Sequence, residues 1–243
     1  MGLLIDYSYR LFPGLFLIGL FYLILPKKND LLKTVILILG FILMRDTMTP
    51  LGLWEFGVDG NIIWLRFIDD SFILITIALF SLILSLVISR SHSSQLNWFT
   101  NQHKVTSILM GMLAAMLVAV PFMIPYFFVP LEDRGGFFPP SLRIALLLFT
   151  LFGNCLEEVL FRGLFQSYIK KETGKVRSIL LSGLFFAVSH TFLAITVTDL
   201  GIWILVFTLY EGIICAIMYE KYGLMSATLT HGLAIFLISA GFA

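Results

Sequence analysis

The chain has 243 residues, of which 59% are hydrophobic and only 13% charged, and its net charge is +1. A soluble domain carries roughly 25% charged residues, so the composition excludes a soluble globular protein, and the near-neutral balance excludes a polyanionic partner such as nucleic acid. Cys155 and Cys215, the two cysteines, both lie in apolar runs, which argues for small buried hydrophobes rather than a disulfide framework.

A membrane-crossing helix needs about 20 mostly apolar residues, and eight stretches separated by polar or Gly/Pro punctuation qualify: 8–25, 31–49, 67–89, 105–128, 141–169, 176–197, 201–220 and 224–242. The expected fold is therefore an all-α polytopic transmembrane helix bundle of about eight spans. The spans use nearly the whole length, so a single integrated membrane domain is expected. Residues 1–140 would form N-terminal helices with an outer loop at 45–70, and 141–243 a C-terminal four-helix core. The first run lacks a basic leader and a small-residue cleavage site, and is expected to be a retained helix. Arg45 and Asp46 near its end make the second span the least secure, and the fifth is long enough to tilt or to extend into the cytoplasm.

Basic residues set the orientation. The loops after spans one, three, five and seven carry Lys27, Lys28, Lys33, Arg90, Lys104, Lys170, Lys171, Lys175, Arg177 and Lys221, against Arg10, Arg45, Arg66, Arg134 and Arg143 on the other side. The first group is expected in the cytoplasm, with both termini extracytoplasmic. Outer residues 45–70 are rich in charge and tryptophan and broken by Pro50, Gly52, Gly57 and Gly60. They read either as an interfacial loop with aromatic anchors or as a substrate-docking element held by a rigid scaffold. The second outer loop, 131–140, ends in Pro139 and Pro140, suited to starting the fifth helix. His92 and His103 lie in a polar cytoplasmic loop and are expected to be solvated.

The fifth span contains Asn154-Cys155-Leu156-Glu157-Glu158-Val159-Leu160-Phe161-Arg162. An ionisable group at bilayer depth costs at least about 2.5–3.5 kcal/mol and usually marks a functional site. At about 1.5 Å per residue, Glu157, 13 residues before Lys170, and His190, 13 residues after Arg177, reach a common depth. Glu211 and His231 each lie nine residues from the cytoplasmic ends of their helices, and Arg162 eight from Lys170, close to the same layer. Glu158 and Arg162 are four apart and can pair along one helix face. Glu157 points about 100° away, which predicts a carboxylate without that partner, free for general acid or base work. Asn154 can reach either glutamate. A lone membrane histidine or a lone Glu–Arg pair is commonly structural, but their coincidence at one depth points to a functional site. Glu211 either lines that site or pairs with Tyr210 or a neighbouring helix.

Glu157-Glu158-x-x-x-Arg162, then Phe186-x-x-x-His190, then His231 in the last helix resemble the CAAX prenyl protease type 2 and bacteriocin-processing family of intramembrane proteases, also called the Abi family. The likeness covers about residues 141–243, including the Tyr222-Gly223-Leu224 turn. It implies a glutamate-dependent peptidase, with Glu157 as activating base, His190 and His231 orienting water or stabilising the oxyanion, and Glu158 and Arg162 bracing the site. The family usually places an Asn four residues after the last histidine, and here that position is Ile235. Asn154 and Glu211 are the candidate substitutes for that oxyanion donor. The implied substrate is a membrane-embedded or lipidated polypeptide, the implied location a bacterial inner (plasma) membrane, and no cofactor is required. The alternatives are zinc held by Glu157, His190 and His231, a set of ligand types that catalytic zinc uses, a proton-coupled transporter, and a non-catalytic scaffold or immunity factor.

Overall fold

A computed structural model describes residues 2–26, 29–59, 62–100, 103–198 and 201–242. Lys27, Lys28 and Gly60, used in the orientation and loop readings above, lie outside the described residues. The expected helical rods are present as α1 (Gly2–Ile24), α2 (Asp30–Met48), α3 (Ser71–Ser91), α4 (Lys104–Met123), α5 (Arg143–Glu158), α6 (Ser167–Thr173), α7 (Lys175–Ser189), α8 (Ile202–Tyr222) and α9 (Leu224–Ser239). A π-helical segment, Val159–Gln166, joins α5 to α6 without a break, and a second, Leu193–Val197, follows α7.

Five helical stretches among the described residues are long and apolar enough to cross a membrane: Gly2–Ile24, Ser71–Ser91, Lys104–Phe128, Pro140–Thr173 and Ile202–Tyr222. The other three expected spans fall short for different reasons. α2 carries Asp30, Lys33, Arg45 and Asp46. α7 and α9 have only 15 and 16 residues, about 24 Å at 1.5 Å per residue.

The helical fold is as expected, but residues 45–70 correct the expectation of an outer loop without regular structure. Arg45 and Asp46 belong to α2, and the loop folds into an antiparallel hairpin of β1 (Trp54–Asp59) and β2 (Ile62–Phe67). Trp64 lies so close over Gly57 that a Cβ there would overlap its ring, which is why that strand position is a glycine. The hairpin is tied to the bundle by Arg66, a buried side chain that donates to the carbonyls of Leu65, Gly135, Gly136 and Ser239. Burial pushes the Arg66 pKa below its ordinary value, and those carbonyls supply the partners that a buried cation needs.

α5 and its π-helical continuation are the most enclosed stretch of the chain, every residue from Gly153 to Gln166 being buried. Small residues let the neighbours approach. A Cβ on Gly232 would lie 2.9 Å from Leu151 Cα, and one on Gly183 would lie 2.7 Å from Ile213 Cγ1. Polar side chains staple the π-helical segment to α8 and α7. Arg162 Nη2 donates to Gly212 O (3.0 Å), Gln166 Nε2 to Ala216 O (3.1 Å) and Ser182 Oγ to Phe161 O (3.1 Å). Cys155 and Cys215 are free and buried, as expected.

Candidate functional site

Four helices and the end of α7 bring their polar residues to one place. Glu158 Oε1 accepts from His231 Nδ1 at 2.9 Å, and Glu158 Oε2 lies 3.2 Å from Arg162 Nε. Glu158 and Arg162 are wholly buried, and the guanidinium also sits 4.3 Å over the Phe186 ring. The i,i+4 pair expected from spacing therefore exists. It stands at the entry to the π-helical turn, a local geometry that recurs at functional sites.

Glu157 points the other way, into a cavity of about 50 Å³. Its Oε2 lies 3.6 Å from His190 Nε2 and 4.0 Å from His231 Nε2. His231 Nε2 is also 3.6 Å from Glu211 Oε2. Both histidines are held by their other nitrogen. His190 Nδ1 lies 2.8 Å from Phe186 O, and a carbonyl accepts, so that nitrogen carries the proton and Nε2 is left facing the cavity. Glu158 orients His231 by the same logic. The ring of Phe186 packs on both, 4.3 Å from His190 and 5.5 Å from His231.

One expectation is corrected here: Glu157 is not without a partner. Arg45 of α2 donates to Glu157 Oε1 from Nη2 at 2.6 Å and from Nε at 3.2 Å, and its Nη2 lies 3.4 Å from Asn154 Oδ1. The guanidinium rests between the rings of Phe41 and Phe149. In the sequence Arg45 reads as a charge that weakens the second span and as one of the outer basic residues, not as part of the site. The available signal was that a charge near the end of an apolar helix needs an acidic partner, and Glu157 was the carboxylate left over.

Asn154, buried, turns its oxygen to Arg45, and its Nδ2 has no hydrogen-bond partner among the described residues. Glu157 Oε2 and Glu211 Oε1 share that state. Glu211 faces His231 rather than Tyr210, whose hydroxyl donates to Leu117 O at 2.8 Å. Ile235 lines the cavity with Thr150, Thr208 and Phe207, and the hairpin covers it with Trp54, Phe56, Leu65 and Phe67.

The arrangement bears on metal binding. Among the described residues, Glu158, Cys215 and His231 offer ligand atoms within 4.8 Å of one another, but Glu158 already faces Arg162 and His231. Two imidazole nitrogens also converge on one Glu157 oxygen, while the guanidinium of Arg45 holds the other. A dication bound there would stand beside a fixed positive charge.

Residues 139–237 match the family model described as type II CAAX prenyl endopeptidase Rce1-like. No curated protein and no solved structure matches the chain.

Proposed function

From the match of residues 139–237 to the type II CAAX prenyl endopeptidase Rce1-like family model, we propose that this protein is an intramembrane peptidase that hydrolyses a membrane-anchored or lipidated polypeptide with Glu157 as its base. The observation that carries the reading is the convergence of His190 Nε2 and His231 Nε2 on the Oε2 of Glu157 inside a buried cavity.

Arg45 holds Oε1 and thereby aims Oε2. A water that donates one hydrogen to Oε2 and the other to the Nε2 lone pair of His190 turns its own lone pair toward a substrate carbonyl. Glu157 takes the proton as the carbon–oxygen bond forms and passes it to the leaving amine as the carbon–nitrogen bond breaks. Ile235, where the resembled family usually has an amide, offers no donor to the developing oxyanion. The unpartnered Nδ2 of Asn154 is the neutral donor to it in this scheme, with His231 beside it. Glu158 and Arg162 brace His231 and do not meet substrate. Glu211 faces the same imidazole and helps set its charge. The chemistry requires no metal.

In this reading the chain crosses a bacterial inner membrane about eight times, with both termini and the hairpin on the extracytoplasmic side. Glu157→Gln is the test, because it keeps the side-chain shape and removes the base. C-terminal mass spectrometry of membrane proteins should find uncut precursors in cells carrying the variant. Identical termini in wild-type and variant cells would reject the peptidase.

A further inference from the structure

The outer edge of β1 is open where it borders the proposed base. The register sets Asp59 opposite Ile62, Gly57 opposite Trp64 and Glu55 opposite Arg66, and just beyond the strands Ile68 N donates to Leu53 O at 3.2 Å. The odd-numbered positions of β1 therefore spend their backbone groups on β2, and those of Trp54 and Phe56 point away from it. Among the described residues no group pairs with the N–H or C=O of Phe56. The corresponding edge of β2 is already used, since Tyr126 Oη donates to Ile63 O at 2.7 Å and Arg66 Nη1 to Leu65 O at 3.0 Å.

The open edge also borders the chemistry. Trp54 stacks on Phe192 with ring centres 6.1 Å apart, and Phe192 stacks on His190 at 5.8 Å. Trp54, Phe56 and Glu157 line one cavity. An adjoining apolar chamber of about 20 Å³ shares Phe56, Leu65, Phe207 and Ile235 with it.

We propose that β1 is a substrate-pairing edge: an extended segment of the polypeptide beside the scissile bond adds to it as a third strand. The inference rests on the peptidase reading and specifies how that peptidase holds its substrate. A peptide bond within a helix has its carbonyl hydrogen-bonded and shielded, so it must unwind before water can attack. Unwinding in an apolar setting strands backbone polar groups that have no water to turn to. The edge of β1 supplies their partners, as strand addition does in other peptide-binding proteins. Side chains of an added strand alternate in direction, so every second residue of the substrate faces the apolar chamber walled by Phe56 and Ile235. The occupant is thus an unwound segment with apolar residues two apart.

The experiment uses a peptide spanning the cleavage site of a protein whose C-terminus depends on Glu157, presented to the full chain in detergent micelles. N-methylation of single peptide amides should raise KM about tenfold at alternate positions and leave the intervening ones near wild type. Phe56→Pro, which removes the edge N–H, should raise KM to a similar degree, and Phe56→Leu, which keeps it, should recover most of the loss. The Phe56 amide of the Glu157→Gln protein should gain protection from hydrogen exchange when the unmodified peptide is added. A cleaved peptide with no alternation on methylation, or unchanged exchange at Phe56, overturns the edge and leaves the peptidase standing. If no protein's termini depend on Glu157, the peptidase fails first and the edge falls with it.

Discussion

In the proposed mechanism Glu157 and Glu158, neighbours in sequence, have opposite tasks, and substitutions should separate them. Arg162 is wholly buried against Glu158, and removing one member of a buried pair costs about 3–5 kcal/mol. Arg162→Leu is therefore expected to lower the melting temperature sharply in detergent, whereas Glu157→Gln, whose amide oxygen can still accept from the partly exposed Arg45, should lower it less while losing turnover. Arg45→Gln leaves the base in place but no longer aimed, and a misplacement of about 1 Å can cost about 10²-fold in rate. Its kcat should fall by that order, with Arg45→Lys intermediate because a lysine keeps the charge and loses the two-point grip. For Asn154→Ala the proposed loss of an oxyanion donor predicts a kcat lower by about 10²–10³-fold with KM little changed; an unchanged kcat would exclude that role. Glu157, Glu158, Arg162, His190, Glu211 and His231 were legible in the sequence because charge is rare in apolar helices and their depths agreed. Arg45 was not, since it lies 112 positions from Glu157 and no spacing rule links residues so far apart.

Among the elements, α9 and the hairpin position the site most directly. α9 delivers His231, and the next residue, Gly232, meets the α5 backbone where a Cβ would lie 2.9 Å from Leu151 Cα. Gly232→Val must push α9 away and draw His231 from Glu158. A loss of activity together with a lower melting temperature is expected, and full activity would show that the close approach is dispensable. The hairpin depends on Arg66, whose removal leaves the carbonyls of Gly135, Gly136 and Ser239 without their donor. The helices were readable from length and hydropathy. The strands were hidden by Pro50, Gly52, Gly57 and Gly60, which mark loops as readily as turns, and by a stabilising arginine whose acceptors come from distant segments.

For the whole molecule, the balance of basic residues predicts which faces reach the cytoplasm. A single reactive cysteine at Ser94 should be labelled only from the cytoplasmic side and one at Glu55 only from the other, with the native Cys155 and Cys215 silent because they are buried. Labelling of both from one side would refute the orientation. Activity should survive chelation, as expected for a carboxylate base flanked by an arginine, and restoration of a chelated enzyme by zinc would reverse that part of the proposal. By itself the sequence determined that the chain belongs in a membrane and that its costliest residues gather in the C-terminal helices, because hydropathy and the penalty for burying charge are properties of local composition. Only the tertiary structure decided that Glu157 is held by Arg45 and that a hairpin closes over it. Those are pairings between remote segments, and which charge meets which depends on distances of a few ångströms that packing alone sets.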